Sequence, residues 1–415
     1  MRLASHIVRF SLRGIPVVGN TASGALVGLT PEGAALCDAM MEREVTQNEV
    51  PARCEELVAY LADHGFTDEL EPDARVRLAS AYLHVTNACN LSCVGCYSAD
   101  CNRNRAGDPS FGQLSRAIDV LAELGVSKLV ISGGEPFLRS DLPDIACHAR
   151  AAGMNCVTIL TNGTRCDDGV LSRLQGNVDV ISVSFDGVSR QSPAHVRSEQ
   201  LFDVLVDTVG RIQAADIHAH ILPTLHARNI DDVPAYLDLA DALGCTVGFS
   251  LLSGSSTDLG DLMPREACLA ELASIMFKAA SEGGSASLND AFNPAGALSV
   301  CAVCGAARSS VSVASDGVVY PCHMLHKPEL ALGNAFEDDA SAIAERISLC
   351  ELPLVDEIKG CSQCENRYLC GGGCRARALD ECGSMAERDP YCTYYRHAID
   401  RTVEAFIRGG QRGEG

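Results

Sequence analysis

Apolar and polar residues follow two alternating patterns through the middle of the chain. From about Ala79, short apolar runs such as AYLHVT, KLVISGG and NCVTILTNG alternate with amphipathic stretches such as Phe111–Leu124 and Val170–Leu174. Further strand-like runs are DVISVSFDG, AHILPT and TVGFSLL. Buried strands that alternate with helices predict a parallel sheet with βα crossovers. Glycine and polar residues cluster just after the strand ends, where folds of this kind place their sites.

The first 70 or so residues predict a small separate unit. Short β-type runs at His6–Ser11 and Ala25–Leu29 flank the turn-rich segment GNTASG. Two helices follow. One begins after Thr30, which is a good N-cap before a proline, and the other is predicted over Glu49–Asp63. A β-hairpin with two helices and no catalytic cluster is typical of a binding module.

The amino-acid composition of the chain excludes some classes of binding partner. With 33 basic and 54 acidic residues, the formal net charge is −21, which argues against a nucleic-acid partner because binding phosphate requires clustered cations. The net negative charge can simply keep molecules of a soluble protein apart by repulsion. The alternative is that it attracts a basic substrate. No apolar run reaches the roughly 18 residues of a membrane span, and the N-terminal residues lack the apolar block of a signal peptide. We therefore expect a cytoplasmic protein with no membrane partner.

Cysteines carry the candidate chemistry. The chain has 21 of them and no export signal, a combination that favours metal or catalytic sites over disulfides. Cys89, Cys93 and Cys96 directly follow a predicted strand with the spacing C-x₃-C-x₂-C. A [4Fe–4S] cluster normally takes four cysteine ligands, so three would leave one iron with an open position. A zinc half-site or buried thiols are the alternatives on spacing alone.

This motif resembles the signature of the radical S-adenosylmethionine (SAM) superfamily. The resemblance implies a partial (β/α)₆ barrel of the TIM type, in which SAM binds the open iron and is cleaved by one electron to a 5′-deoxyadenosyl radical. Cys89, Cys93 and Cys96 would hold the cluster at the catalytic centre. In one respect the chain departs from the family, which usually has an aromatic residue before the third cysteine, where this chain has Gly95 followed by Cys96 and Tyr97.

Residues after the next predicted strands also match the superfamily. Gly133-Gly134-Glu135-Pro136 resembles its GGEP element, in which the backbone and the glutamate would receive the methionine ammonium of SAM. Each match alone is an ordinary turn residue, but together their order and spacing indicate a SAM site. The cofactor-binding residues implied by the resemblance are Gly133, Gly134, Glu135, Asn162, Ser184, Asp186 and Arg197.

The C-terminal cysteines form a second pattern, Cys304-x₁₂-Gly317-x₄-Cys322, then C-x₂-C-x₅-C-x₃-C from Cys361, and finally Cys392. It resembles the SPASM extension of radical SAM enzymes that modify peptides and proteins. The resemblance implies two auxiliary [4Fe–4S] clusters, three in all. One would be held by Cys304, Cys322 and Cys374, with Cys301 as the candidate fourth ligand. The other would be held by Cys361, Cys364, Cys370 and Cys392. An open iron in place of Cys301, or two zinc sites, are the alternatives.

These patterns divide the chain into four predicted segments: residues 1–72, a winged-helix-like domain; residues 78–292, the radical SAM core; residues 295–397, the SPASM domain; and residues 398–415, a C-terminal helix and flexible tail. The first segment resembles the PqqD-like peptide chaperone of pyrroloquinoline quinone biosynthesis. That resemblance implies capture of a leader peptide as an added strand. A packing appendage is the alternative.

The resulting hypothesis is an anaerobic maturase of ribosomally made precursor peptides. A hydrogen is removed from the peptide, and an auxiliary cluster takes the remaining electron as a thioether, carbon–carbon or carbon–oxygen crosslink closes. A flavodoxin or ferredoxin would supply electrons. The alternatives are a tetrapyrrole-modifying enzyme, an iron–sulfur electron carrier or sensor, and a sulfatase maturase that forms formylglycine. Sulfatase maturases usually have an aspartate after the cysteine that is Cys322 here. His323 takes that place and is the candidate base, with a structural histidine as the alternative.

Overall fold

A computed structural model describes residues 1–69, 78–99, 102–197, 200–282, 287–289, 291–294, 296 and 298–412. The chain forms two compact units. The terminal unit comprises Met1–Arg75, Gly296–Cys304 and Leu352–Gly415, and the central unit comprises Val76–Ala295 and Gly305–Glu351. The predicted segment boundaries at residues 72 and 295, and the last three residues of the predicted tail, lie outside the described residues.

The terminal unit begins with a three-stranded antiparallel sheet in the order β1-β2-β3. Its strands are β1 (Ile7–Leu12), β2 (Ile15–Asn20) and β3 (Leu26–Gly28). The sequence pattern did not predict β2, because the two residues that separate it from β1 are Arg13 and Gly14 rather than the Asn-Gly or Asp-Gly pair that usually marks a hairpin turn. Arg13 and Gly14 both have positive φ angles, 51° and 77°, which is the backbone of a tight two-residue hairpin turn.

Helix α1 (Pro31–Glu42) begins where the sequence predicts. The Thr30 hydroxyl accepts a hydrogen bond from the Gly33 N–H at 3.1 Å, and this satisfies one of the free donors of the first turn. Its buried face packs with the sheet in a core that includes Cys37 and Met40.

Helix α2 (Glu55–Asp63) begins six residues later than the sequence pattern predicts. The preceding residues form two short 3₁₀ turns, Gln47–Glu49 and Ala52–Cys54. Pro51 lies between them, and proline both lacks an N–H and keeps the residue before it out of the helical conformation. The predicted start at Glu49 was therefore wrong.

The central unit is built on a sheet with a parallel core, in the order β10-β8-β7-β6-β5-β4-β11-β12, with β9 paired to β8. Its strands are β4 (Ser80–Thr86), β5 (Lys128–Gly133), β6 (Cys156–Thr161), β7 (Val180–Phe185), β8 (His218–Leu225), β9 (Thr246–Val247), β10 (Ser250–Leu251), β11 (Ser310–Val313) and β12 (Val319–Tyr320). The six predicted core strands are present, the last as the pair β9 and β10. The predicted α/β fold is confirmed.

Helices connect the strands of this sheet, with α3 to α7 joining successive strands from β4 to β9. The helices are α3 (Phe111–Glu123), α4 (Leu142–Ala151), α5 (Asp168–Leu174), α6 (Phe202–Ala214), α7 (Val233–Leu243), α8 (Ser256–Leu259), α9 (Glu266–Ser281) and α10 (Ala340–Ser348). Each crossover returns the chain to the same end of the sheet, so the segments that follow the strands gather at one edge.

The parallel strands have two different faces, because successive side chains point to opposite sides. On β4, Leu83 is fully buried, whereas its neighbours Tyr82 and His84 share the other face. The register continues that second face across β5 to β8. We call it the polar face, and it includes Tyr82, His84, Ser132, Thr158, Ser182 and His220.

The C-terminal part of the terminal unit contains α11 (Arg367–Cys370), α12 (Arg375–Cys382) and α13 (Cys392–Arg412). It packs against the N-terminal sheet of the same unit, where the rings of Phe10 and Tyr368 lie 5.2 Å apart. Within the part of the chain that the structure describes, no helix has the length and apolar character needed to cross a membrane.

Candidate active site

The loop after β4 brings three cysteine thiols together in the central unit. Burial raises the pKa of the Cys93 thiol to about 11; the neighbouring Arg197 guanidinium lowers it, and the nearby thiols of Cys96 and Cys89 raise it further. These electrostatic effects require short distances. The predicted C-x₃-C-x₂-C residues therefore gather around one place, with Arg197 beside them.

Two glycines allow the end of β5 to pass directly against this loop. The Gly134 N–H donates to the Thr86 carbonyl at 2.8 Å, and the Glu135 N–H donates to the Ala88 carbonyl at 2.8 Å. A Cβ atom on Gly134 would lie only 1.9 Å from the Ala88 oxygen, and one on Gly133 would lie 2.3 Å from the Thr86 oxygen. The close backbone approach explains why the sequence has Gly-Gly here.

Glu135 is completely buried and ties the end of β5 to the end of β6. Its carboxylate accepts hydrogen bonds from the Phe137 N–H at 3.0 Å, the Thr161 hydroxyl at 2.8 Å and the Asn162 N–H at 2.7 Å. Burial raises the pKa of this carboxyl group, while the hydrogen bonds lower it. The role of Glu135 in binding the ammonium group of SAM stays a prediction.

Asn162 lies against the start of the cysteine loop. Its side-chain N–H donates to the Asn90 side-chain oxygen, Oδ1, at 2.9 Å and contacts the Cys89 sulfur at 3.9 Å. Asn162, predicted at the end of β6, thus lies next to Cys89, the first predicted cluster cysteine. Asn90 lies there too, although no sequence pattern predicted a role for it.

Asp186 and Arg197 form the other side of the site. Asp186 Oδ2 accepts hydrogen bonds from the N–H groups of Val196 and Arg197 at 3.3 and 3.2 Å. The Arg197 side chain is 7% exposed, and its Nη1 has no hydrogen-bond partner among the described residues. Burial lowers the pKa of this guanidinium, although the Asp186 carboxylate raises it. Ser184 lies two residues earlier, half-buried on β7.

These residues fit SAM. A buried N–H donor without a partner costs free energy, and a carboxylate is the group that a guanidinium binds best. Arg197 is therefore suited to the carboxylate of SAM, and the Gly133–Gly134 backbone passes directly against the loop that carries the cysteines.

The departure at Gly95 has a steric cause. Gly95 has a φ angle of 66°, and a Cβ atom there would lie 2.7 Å from Leu252 and 3.0 Å from Leu259. An aromatic side chain at this position has no room. Tyr97 points to the polar face instead, and its hydroxyl lies 2.6 Å from the Ser132 hydroxyl.

Tyr97 is deep in the unit yet accessible. Burial raises the pKa of its phenol to about 12, whereas 39% of the side chain can still be reached by solvent. The Tyr97 ring is thus partly exposed to solvent directly after Cys96, the last cysteine of the motif.

His323 packs between aromatic rings at the same place. Its ring stacks on Tyr82 with a centroid distance of 4.0 Å and meets the edge of Tyr97 at 5.1 Å. Its Nδ1 lies 3.6 Å from the Cys322 sulfur. Burial, together with His326, lowers the pKa of His323 to about 4, so the imidazole is neutral near pH 7.

The sequence did not predict Tyr82, His84 and His326 as neighbours of this site. The His84 and His326 rings lie 4.7 Å apart, and the His326 Nε2 lies 2.8 Å from the Ser312 hydroxyl. Period-two alternation along β4 would have placed Tyr82 and His84 on one face. The contact with residue 326 needed the pairing of β11 with β4.

Two further residues contact the cysteine loop directly. Arg103 Nη2 donates to the Cys96 sulfur at 3.7 Å, and the Asn104 side-chain oxygen accepts the Cys89 N–H at 2.7 Å. Both lie in an irregular segment without periodicity, so the sequence carried no signal for them.

The C-terminal cysteines of the terminal unit also lie close to one another. Burial raises the pKa of Cys370, and the nearby Cys301, Cys361 and Cys364 raise it further, so Cys301 of the other predicted cluster is also a neighbour. Burial likewise raises the pKa of Cys392 to about 11, with added effects of Cys361 and Cys364. The four residues of one predicted auxiliary cluster are thus neighbours.

Cys301 neighbours Cys304, whose charge adds to the effect of burial in raising the Cys301 pKa to about 11. Cys374 is a further neighbour of Cys304, while Cys322 belongs to the central unit. The assignment of Cys301, Cys304, Cys322 and Cys374 to one cluster stays a prediction.

Among the described residues, no three His, Cys, Asp or Glu side chains have the close spacing of ligands to a single metal ion. The cysteines of a [4Fe–4S] cluster bind separate iron atoms. Cluster binding therefore does not require that spacing.

Comparison with protein families decides the class of this site. Residues 83–240 match the family model described as the radical SAM superfamily. The chain contains a radical SAM domain. Residues 304–365 match the SPASM family, described as an iron–sulfur cluster-binding domain. The protein is an enzyme that uses SAM and several [4Fe–4S] clusters, which confirms both predicted cofactors.

Relatives of this radical SAM enzyme have different chemistries. It is 28% identical over 338 residues to the AdoMet-dependent heme synthase of Methanosarcina barkeri. This match covers 75% of this chain and 95% of that protein. It is 29% identical over 322 residues to the mycofactocin maturase MftC of Mycobacterium tuberculosis, covering 74% and 81%.

The fold of this chain also resembles that of a solved structure. The crystal structure of Streptococcus suis SuiB bound to the precursor peptide SuiA has a TM-score of 0.61 and 14% sequence identity, and the match covers 94% of this chain and 99% of that one. At this identity the match shows a shared fold.

Proposed function

We propose that this radical SAM enzyme is a maturase of ribosomally made precursor peptides that forms an intramolecular crosslink. The observation that carries the proposal is the extent of the fold match to SuiB. That match covers 94% of the chain, whereas the two family models cover residues 83–240 and 304–365. The part of the chain outside the match is shorter than the segment with the N-terminal sheet and helices, so the match extends into that segment, and SuiB is bound to a precursor peptide. The maturase MftC among the relatives gives further support.

The chain's own residues hold and orient the reactants. Cys89, Cys93 and Cys96 would hold the SAM-binding cluster, and Arg197 and the backbone of Gly134 would position SAM. When bound, SAM and the clusters supply one-electron chemistry that removes a hydrogen atom from the substrate and accepts the electron left after bond formation. The tight backbone contacts at Gly134 fix the geometry before the substrate enters.

Closing a thioether removes one hydrogen atom, one proton and one electron from the peptide. His323 is the candidate acceptor of the proton. Its Nδ1 faces the Cys322 sulfur at 3.6 Å, which leaves Nε2 for exchange with the substrate. Stacking on Tyr82 holds the ring in one orientation, as a base requires.

The leader peptide would bind along an outer strand of the N-terminal sheet. Among the described residues, β1 and β3 each pair as strands only with β2, so each has an edge that can accept an added strand. At the start of the β3 edge, the Val300 N–H already donates to the Gly24 carbonyl at 2.9 Å, so an added strand would bind β3 beyond that contact. The backbone hydrogen bonds between β2 and β3 show which N–H groups of β3 face away from β2. The Asn20 N–H donates to the Ala25 carbonyl and the Leu29 N–H donates to the Pro16 carbonyl, so alternation turns the N–H of Leu26 away from β2.

A proline at an outward position tests this binding mode in the full-length enzyme. Leu26→Pro removes one outward N–H of β3 and leaves the β2 ladder intact. Ser11→Pro makes the same change on the opposite edge, since the Ser11 N–H also points away from β2 by the register of β1. We expect one of the two variants to weaken binding of the precursor peptide at least tenfold, as measured by fluorescence anisotropy. The other variant is its matched control.

Wild-type peptide affinity in both variants would refute strand addition at this sheet. Formation of 5′-deoxyadenosine from SAM alone should persist in both, because the changes lie in the terminal unit.

The product mass tests the maturase proposal itself. After anaerobic co-expression, a precursor peptide encoded beside the gene should be lighter by two hydrogen atoms for each crosslink. An unchanged peptide, with 5′-deoxyadenosine still produced, would move tetrapyrrole and sulfatase substrates ahead of the peptide.

A further inference from the structure

Residues Asn102–Ala106 fold back over the cysteine loop. The N–H groups of Arg105 and Ala106 both donate to the Asn102 carbonyl, at 2.9 and 3.2 Å. Asn104 has a φ angle of 61°, a left-handed conformation that asparagine tolerates better than most residues. This turn sends two consecutive side chains to the cysteine loop, one to its first cysteine and one to its last.

We call Arg103 and Asn104 the cysteine clasp. Asn104 accepts the N–H of Cys89 through its side-chain oxygen at 2.7 Å. Arg103 donates from Nη2 to the Cys96 sulfur at 3.7 Å. A guanidinium therefore lies in direct contact with a thiol that would bind iron.

Arg103 is held in this place by Ser98. The same Nη2 donates to the Ser98 hydroxyl oxygen at 2.8 Å. The Ser98 hydroxyl in turn donates its own proton to the Gly133 carbonyl at 2.7 Å. Ser98 Oγ also lies 3.5 Å from the Cys96 sulfur, but its own proton goes to the Gly133 carbonyl, so its main effect on Cys96 is to fix the Arg103 guanidinium between the cysteine loop and the end of β5.

A fixed cation beside a cluster sulfur affects the cluster's reduction. Hydrogen bonds to cluster sulfurs and local charge are among the factors that set the reduction potential. Accepting one electron from a flavodoxin- or ferredoxin-type donor makes the cluster more negative by one charge. The neighbouring positive charge therefore favours the reduced form, and the half-buried position of Arg103 limits screening by solvent.

We propose that Arg103 raises the reduction potential of the SAM-binding cluster through its hydrogen bond to Cys96, with Asn104 and Ser98 holding the clasp in place. Arg103 acts through the cluster and is thus a positioning residue. The proposal concerns SAM cleavage and does not rest on the identity of the peptide.

The experiment is a redox titration of the full-length, anaerobically reconstituted enzyme, followed by electron paramagnetic resonance. The signal that changes on adding SAM identifies the SAM-binding cluster. In Arg103→Gln we expect the one-electron reduction equilibrium to become about tenfold less favourable, a shift of 59 mV to more negative potential. Arg103→Lys keeps the charge and should shift less. Arg105→Gln removes the same charge from an exposed side chain of the same segment and should change the equilibrium less than about twofold.

A wild-type potential in Arg103→Gln, with full iron and sulfide content, would overturn the proposal. Should that variant fail to hold iron, Ser98→Ala decides instead, because it removes the hydroxyl that fixes Arg103. A negative shift in Ser98→Ala supports the proposal, and an unchanged potential overturns it.

Discussion

Substituting Gly134 by alanine tests how closely the backbone must pass the cysteine loop. The new Cβ would lie 1.9 Å from the Ala88 carbonyl oxygen, whereas real Cβ contacts stay above 3.0 Å. The end of β5 and the loop must therefore move apart by roughly 1 Å, about the smallest displacement that removes so hard a clash.

This movement breaks specific hydrogen bonds. The Gly134 N–H to Thr86 and the Glu135 N–H to Ala88 contacts both measure 2.8 Å, and a further 1 Å takes them beyond hydrogen-bonding distance. At roughly 1 kcal/mol for each bond, the free energy of unfolding should fall by about 2 kcal/mol. A misplacement of about 1 Å at a reacting centre can cost roughly a hundredfold in rate.

Three measurements on anaerobically reconstituted protein check the prediction: iron content, SAM affinity by calorimetry, and 5′-deoxyadenosine formation. We expect iron to be largely retained, weaker SAM binding, and about a hundredfold lower rate. Gly210→Ala is the matched control, since Gly210 lies within α6 and a Cβ there meets no atom within 4 Å. That change should stabilise α6 by up to about 1 kcal/mol and leave activity unchanged.

Wild-type SAM affinity and rate in Gly134→Ala would refute the reasoning. Such a result would mean that the loop and the end of β5 can separate without disturbing the site.

Two further substitutions probe other contacts. Arg197→Met should weaken SAM binding on the oxidised enzyme by about tenfold to a hundredfold, the loss expected for one charged hydrogen bond; calorimetry checks it, and unchanged affinity would remove Arg197 from the SAM site. Asp389→Asn breaks the buried pair of Arg377 and Asp389, whose side chains are 1% and 2% exposed, so the free energy of unfolding should fall by about 3–5 kcal/mol. Chemical denaturation measures that loss, and Arg408→Gln, which breaks an exposed pair with Glu404, should cost less than about 1 kcal/mol.

Local sequence was sufficient wherever one segment carries the whole signal. The start of α1 after Thr30 follows from a single cap and a proline. The strand ends at Gly133 and Asn162 follow from turn residues placed after buried apolar runs. In contrast, β2 was missed because its turn at Arg13–Gly14 contains no Asn-Gly or Asp-Gly pair, the usual sequence signal of that turn.

The sequence by itself determined the class of this protein, because the spacing of Cys89, Cys93 and Cys96 and the SPASM-type cysteine pattern are local properties of the chain. Only the tertiary structure decided which side chains surround those cysteines. Arg103 reaches Cys96 through a left-handed turn at Asn104, and His323 reaches Tyr82 through the pairing of β11 with β4. Such contacts depend on backbone conformation and on strands that are more than 200 residues apart in the chain, and neither leaves a periodic trace in the sequence.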